Sequence, residues 1–203
     1  MKIGIIDYGL GNIRSVYGAI KECGYEPIVS DKEIDLRQTD KLILPGVGAF
    51  GDGIRRIKNF GLDEFIRQQT QIKKKPILGI CLGFQLFYES SQEFGINEGF
   101  GWLKGKLQSF DREKIRVPHI GWNDCFQIKE SILWEGIAEE ALFYYVHSFY
   151  VKDQGTEEII GKCHYQEEYV SAFQKENLYG VQFHPEKSQV AGLKLLKNFI
   201  EKS

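Results

Sequence analysis

A chain of 203 residues is long enough to bury a core without disulfides or metal, and short enough to form one domain, 1–203. Its 42% hydrophobic and 27% charged residues exclude an intrinsically disordered polymer. Basic and acidic residues nearly balance, 26 against 28, so no Lys/Arg face for nucleic acid is expected.

The chain opens with Lys2–Asp7, which reads as a strand. An acid and glycines stand where the apolar core of an export signal would run. Asn12–Cys23 has helical spacing, with Ile13, Val16, Tyr17, Ile20 and Cys23 on one stripe and Asn12 placed to cap it. Glu26–Val29 and Lys41–Leu44 read as strands, the second ended by Pro45-Gly46. A helical stretch runs from Gly51 to Lys73 with a break near Gly61, and Lys73-Lys74-Lys75 reads as its solvated end. Pro76–Ile80 is a buried strand, after which a helix is expected to start at Leu82. Strands alternating with helices imply a parallel sheet covered on both faces.

In the second half, Trp102–Phe110, Asn123–Ile128, Leu142–Val151, Ile159–His164, Tyr169–Gln174 and Tyr179–Phe183 read as strands with short connections. Antiparallel hairpins added to the sheet are expected. Ser188–Ile200 has the apolar spacing of a helix packed on that sheet. The expected fold class is therefore α/β: a mostly parallel sheet flanked by helices, with added antiparallel strands. Apolar runs such as Ile3–Ile6 and Leu78–Leu82 are far too short to span a bilayer. Cys23, Cys81, Cys125 and Cys163 are widely spaced without a C-x-x-C pair, which argues against zinc and against a disulfide framework. A reducing cytoplasm is the expected compartment.

Gly79-Ile80-Cys81-Leu82-Gly83 has the layout of a nucleophile elbow with sulfur in place of the serine oxygen. The turn strains its central residue and demands small neighbours two positions away. A helix N-terminus beyond it would favour thiolate over thiol. A thiolate needs a base and a group that orients the base. Val181-Gln182-Phe183-His184-Pro185-Glu186 offers both: a strand ending at His184, with Glu186 two residues on across a proline-stiffened turn. His119, His147 and His164 lack this arrangement. The oxyanion donors are expected from the Leu82 N–H and from the loop Pro45-Gly46-Val47-Gly48. Each pattern also has a plain structural reading: a small residue at a strand end, a strand-ending histidine with a surface acid, an ordinary glycine-rich turn. Gly9-Leu10-Gly11-Asn12-Ile13-Arg14 mimics a dinucleotide fingerprint, but Arg14 stands where the third glycine should be and no suitably placed acid follows, so dinucleotide binding is not expected.

G-I-C-L-G with a downstream F-H-P-E resembles the class I (triad) glutamine amidotransferases, and the resemblance covers the whole chain. Pro45-Gly46-Val47-Gly48-Ala49-Phe50, Val117-Pro118-His119-Ile120-Gly121-Trp122-Asn123 and Val146-His147-Ser148-Phe149 narrow it to the glutaminase subunits of imidazole glycerol phosphate synthases. The resemblance implies that Cys81 attacks the side-chain amide of L-glutamine, His184 shuttles the proton and Glu186 orients His184. It implies oxyanion donors at Val47 and Leu82, with Val47 acting after its loop rearranges. Glutamine would be bound by Gly48, Gln85, Glu93, Ser148 and Phe149. The partner it implies is a (βα)8-barrel cyclase, met through Asn12, Trp122, Asn123, Tyr144 and Lys187, that makes imidazole glycerol phosphate and the carboxamide ribotide AICAR from the delivered ammonia. For Trp122 and Tyr144, core packing is the other reading. No cofactor and no metal are implied. An acidic hairpin at His164–Tyr169 departs from the expected pattern and leaves open a different barrel partner, one that aminates a surface-polysaccharide sugar precursor. An inert regulatory subunit would lack a triad member, and Cys81, His184 and Glu186 are all present. A cysteine peptidase would share the elbow.

Overall fold

The computed structural model describes residues 1–203. In chain order it runs β1 (Ile3–Ile6), α1 (Ile13–Glu22), β2 (Ile28–Ser30), α2 (Glu33–Arg37), β3 (Lys41–Gly46), α3 (Phe50–Asn59) and α4 (Leu62–Arg67). A wide turn at Gln68–Ile72 leads to β4 (Ile77–Cys81) and α5 (Leu82–Gln85). Then follow β5 (Tyr88–Ser91), β6 (Asn97–Glu98), β7 (Leu103–Ser109), β8 (His119–Asp124), β9 (Phe126–Gln127), β10 (Leu142–His147) and β11 (Phe149–Val151). The chain closes with β12 (Ile159–His164), β13 (Glu168–Lys175), β14 (Leu178–Val181) and α6 (Gln189–Lys202).

Eight strands form the main sheet in the order β2-β1-β3-β4-β14-β13-β12-β9. The first five are parallel and the last three are added antiparallel. The parallel strands are apolar throughout because both faces are covered. Ile3, Ile5, Ile43, Leu78 and Ile80 point to one side, against Val16 and Ile20 of α1 and Leu195, Leu196 and Phe199 of α6. Ile6, Leu42, Leu44 and Ile77 point to the other, against Ile57, Leu62, Phe65 and Ile66 of α3 and α4. Each such side chain, fully buried, stabilises by about 1.5–3 kcal/mol.

The first half follows the sequence reading, with the helix break falling at Gly61 in left-handed conformation. Lys73 and Lys74 are exposed, and Lys74 pairs with Glu176. One local expectation is corrected, and two details go beyond the sequence reading. The Asn12 side chain makes no capping bond; only its backbone carbonyl accepts, from Ser15 and Val16 N–H. A short helix, α2, occupies Glu33–Arg37, too brief to show a period. The helix after Cys81 lasts one turn, because Phe84, Leu86 and Phe87 all bury into the second core and turn the chain into β5. Four peptide units make only a weak macrodipole.

The second half does not all join the main sheet. β11-β7-β5-β6 form a separate four-stranded sheet, and β8 and β10 an antiparallel ribbon of their own. The expected strand 123–128 is two elements, β8 and β9, separated at Cys125; the expected strand 142–151 is likewise β10 and β11, divided at Ser148. No helix is long and apolar enough to cross a membrane.

Candidate active site

Cys81 ends β4 between two parallel neighbours, paired with Gly46 of β3, while Ile80 pairs with Val181 of β14. Its backbone sits at φ 53°, ψ −105°, a strained conformation for a residue with a side chain. The flanking glycines make the turn possible. A methyl group on Gly79 would lie 2.7 Å from the Gly83 carbonyl oxygen, and one on Gly83 would overlap the Leu44 carbonyl. The elbow expected from spacing is therefore present. Cys81 is 6% exposed, and Gln182 Nε2 donates toward its Sγ at 3.8 Å.

His184 lies three residues beyond β14 on the strand next to the elbow, at the same carboxyl edge of the sheet. Its Nδ1 meets Glu186 Oε1 at 2.8 Å. Its Nε2 is buried with no hydrogen-bond partner, as is Glu186 Oε2. Burial alone pushes the imidazole pKa down; the charge of Cys81 and the hydrogen-bonded Glu186 carboxylate outweigh that and raise it to about 10. The pair is held by backbone. His184 N–H donates to the Tyr144 carbonyl at 2.9 Å, and Ser188 Oγ donates to the His184 carbonyl at 2.6 Å while accepting from Tyr144 N–H at 3.0 Å.

Beside Cys81 opens a cleft of about 540 Å³. Val47, Gly48, Cys81, Leu82, Gln85 and Glu93 line one side, and His147, Ser148, Phe149 and Lys187 the other. Gly48, at φ +98°, lets the loop after β3 curl over the cleft. Gln85 Nε2 donates to the Phe149 carbonyl and to Gln182 Oε1. Glu93 accepts the Phe50 N–H at 2.7 Å, and burial holds its carboxyl above the usual range. A larger surface hollow of about 640 Å³, between Lys129, Trp134 and Gln174, touches none of these residues. No group of three or more His, Cys, Asp or Glu stands close enough to hold a metal ion.

Trp122 and Tyr144 face each other across the β8–β10 ribbon, edge to face, and Lys187 Nζ lies 5.5 Å over the Tyr144 ring. Trp122 is 45% exposed, so it is not a core residue. Asn123 gives its amide to the His164 carbonyl. Asn12 stands ahead of α1, whose Ser15 and Gly18 border the same hollow as Lys187. The sequence reading passed over Gln182, Ser188 and His147. A glutamine inside the apolar run Val181–Phe183 was the visible signal for the first.

A thiol on a strained elbow, a buried imidazole–carboxylate pair and a cleft beside them have the layout that cysteine-nucleophile acyl transfer requires of an α/β sheet. The family model for class-I glutamine amidotransferases matches residues 4–203, and the chain belongs to that family. Among its relatives, the imidazole glycerol phosphate synthase subunit HisH 1 of Campylobacter jejuni is 43% identical over 199 residues, covering 98% of each chain. Subunit HisH of Sulfurimonas denitrificans is 45% identical, covering 97% of this chain and 96% of its own. That of Aquifex aeolicus is 43% identical, covering 100% and 98%. The solved structure of PurLQS from Thermotoga maritima shares the fold at a TM-score of 0.75 and 18% identity, covering 98% and 97%.

Proposed function

We propose that the chain is the glutaminase subunit of an imidazole glycerol phosphate synthase, a single cytoplasmic domain, 1–203, that hydrolyses L-glutamine and hands the ammonia to a (βα)8-barrel cyclase in histidine biosynthesis. The observation that carries the chemistry is Cys81 on its elbow beside the 2.8 Å His184–Glu186 pair. The likeness to imidazole glycerol phosphate synthase subunits over nearly the whole chain supports the acceptor.

Cys81 sulfur attacks the side-chain amide carbon, with Leu82 N–H and Val47 N–H receiving the oxyanion. As the C–N bond breaks, the His184 imidazolium gives its proton to the leaving nitrogen. A raised pKa suits His184 to hold that proton until then. Water then attacks the glutamyl thioester, His184 takes a proton from it, and glutamate leaves. Gln85, Glu93, Gly48, Ser148 and Phe149 hold the substrate, Glu93 by charge to its amino group. Ammonia in neutral water is mostly protonated and no nucleophile, so release must be sealed against the acceptor. Asn12, Trp122, Asn123, Tyr144 and Lys187 make that seal. Nucleic acid and membranes have no part in it.

Glutamate release measured for the chain alone, then with the barrel cyclase and its ribotide, tests both halves of the proposal. Strong stimulation by both together is expected. Labelling of Cys81 by a glutamine-like electrophile without stimulation would move the acceptor to another barrel enzyme, such as one aminating a surface-polysaccharide sugar precursor. No labelling would overturn the glutaminase itself.

A further inference from the structure

Between the cleft and the exposed ribbon lies a buried polar cluster that this chemistry leaves unused. His119 opens β8 and His147 closes β10, directly opposite in the ribbon register, and Tyr169 reaches them from β13 of the main sheet. All three are buried. His119 Nδ1 and His147 Nε2 each lie 3.1 Å from the Tyr169 hydroxyl and 3.3 Å from one another. Tyr165 and Tyr145 stack on the His119 ring and exclude water. Burial holds the imidazoles down, His119 at about 4 and His147 at about 3, so each carries one ring proton near neutral pH.

The donors in this cluster have a forced direction. The Phe149 carbonyl, 2.9 Å from His147 Nδ1, can only accept, so Nδ1 carries the proton and Nε2 accepts. At the other end, Asp124 N–H donates to Asn123 Oδ1, which fixes the amide of Asn123. The Asn123 NH2 therefore donates to His119 Nε2 at 3.4 Å, and the His119 proton sits on Nδ1. The Tyr169 hydroxyl accepts from His119 and donates to His147. His119, Tyr169 and His147 then each give one hydrogen and take one, while Asn123 gives its second to the His164 carbonyl.

We infer that His119, Tyr169 and His147 are positioning residues for glutamine binding, a one-way train of donors from Asn123 on the ribbon to the Phe149 carbonyl in the cleft wall. The inference rests on the glutaminase reading. The same carbonyl receives Gln85 Nε2, Gln85 also holds Gln182, and Gln182 reaches Cys81 Sγ. The wall of the cleft is thus pinned by two donors, one from the elbow helix and one from the ribbon. Movement of the ribbon reaches the substrate pocket through the second.

Two alkylators separate the pocket from the thiol in the full chain. A diazoketone analogue of glutamine reads pocket and thiol together; iodoacetamide, scored on the Cys81 peptide because the half-buried Cys23 is also accessible, reads the thiol alone. Loss of one buried hydrogen bond in the train should slow analogue trapping about tenfold in Tyr169→Phe, with iodoacetamide labelling unchanged. His147→Leu should behave alike. His147→Asn, which keeps a donor near the Nδ1 position, should recover most of the rate. Because the variants could fail to fold, nitrogen NMR of histidine-labelled wild-type chain supplies a second readout. It should show Nδ1 protonated and Nε2 bare on both rings near neutral pH. An Nε2–H tautomer on either ring, or folded Tyr169→Phe and His147→Leu chains that trap the analogue as fast as wild type, would overturn the inference. Wild-type chain labelled by iodoacetamide but never by the analogue would instead overturn the glutaminase reading, and the tautomers would stand.

Discussion

His184 and His147 are buried to a similar degree, 1% and 6% exposed, and both lie near Cys81, yet they ionise in opposite senses. His184 faces a carboxylate and a sulfur that prefer it charged, and its pKa rises to about 10. His147 faces a carbonyl, a hydroxyl and a second neutral imidazole. Burial dominates there and its pKa falls to about 3. The difference teaches that burial sets only the cost of a charge; the nearest partners decide whether it is met.

The widest test of this contrast is Cys81→Ala. Glutamate release should vanish while partner docking and ammonia-dependent synthesis persist. Without the sulfur, His184 should titrate well below its wild-type pKa by NMR; an unchanged titration would assign its charge to Glu186 alone. Glu186→Gln comes next. It removes the group orienting His184 and should lower kcat about 100-fold, less than loss of the nucleophile, in a steady-state glutaminase assay. Equal losses would mean Glu186 has a different role.

The pH profile of unfolding is smaller and separates the two histidine environments directly. His184 binds its proton more tightly folded than unfolded, so its contribution is fully present below about 6.5 and is lost as pH rises toward 10. His119 and His147 bind theirs less tightly folded, so their contribution is present above about 6.5 and is lost as pH falls toward 4 and 3. The histidine part of the stability should peak near 6.5, with an acid-side slope of about 1.4 kcal/mol per pH unit for each proton taken up on unfolding. Denaturant titrations of wild type and His119→Asn across this range would show it; identical acid slopes would break the contrast. Least of all, Ser188→Ala should cost about 1–2 kcal/mol of stability, by loss of its bonds to His184 and Tyr144, with Ser188→Thr retaining part of it.

The placement of Cys81, His184 and Glu186 at one sheet edge was legible because its signals are written locally. The elbow needs glycines at fixed offsets, and the His184–Glu186 pair spans one proline turn. The parallel strands were legible because burial on both faces leaves continuous apolar runs. What escaped was decided at long range. His119–Asp124 and Leu142–His147 alternate no differently from sheet strands, and only their mutual pairing isolates them as a ribbon. The single-turn length of α5 follows from where Phe84, Leu86 and Phe87 find room, which no helical period reports. His119 and His147 lacked the strand-end-and-acid pattern, and their meeting with Tyr169 depends on strands distant in the chain.

The ribbon also has a bearing on how the chain fares in a cell. Ile120, Trp122 and Leu142 on it, with Val190 beside it, leave an apolar face exposed. A face of this kind invites self-association when nothing covers it. If the cyclase is its cover, synthesis of the two polypeptides in matched amounts protects solubility as well as flux. An excess of this chain alone would be the first to precipitate or to be degraded.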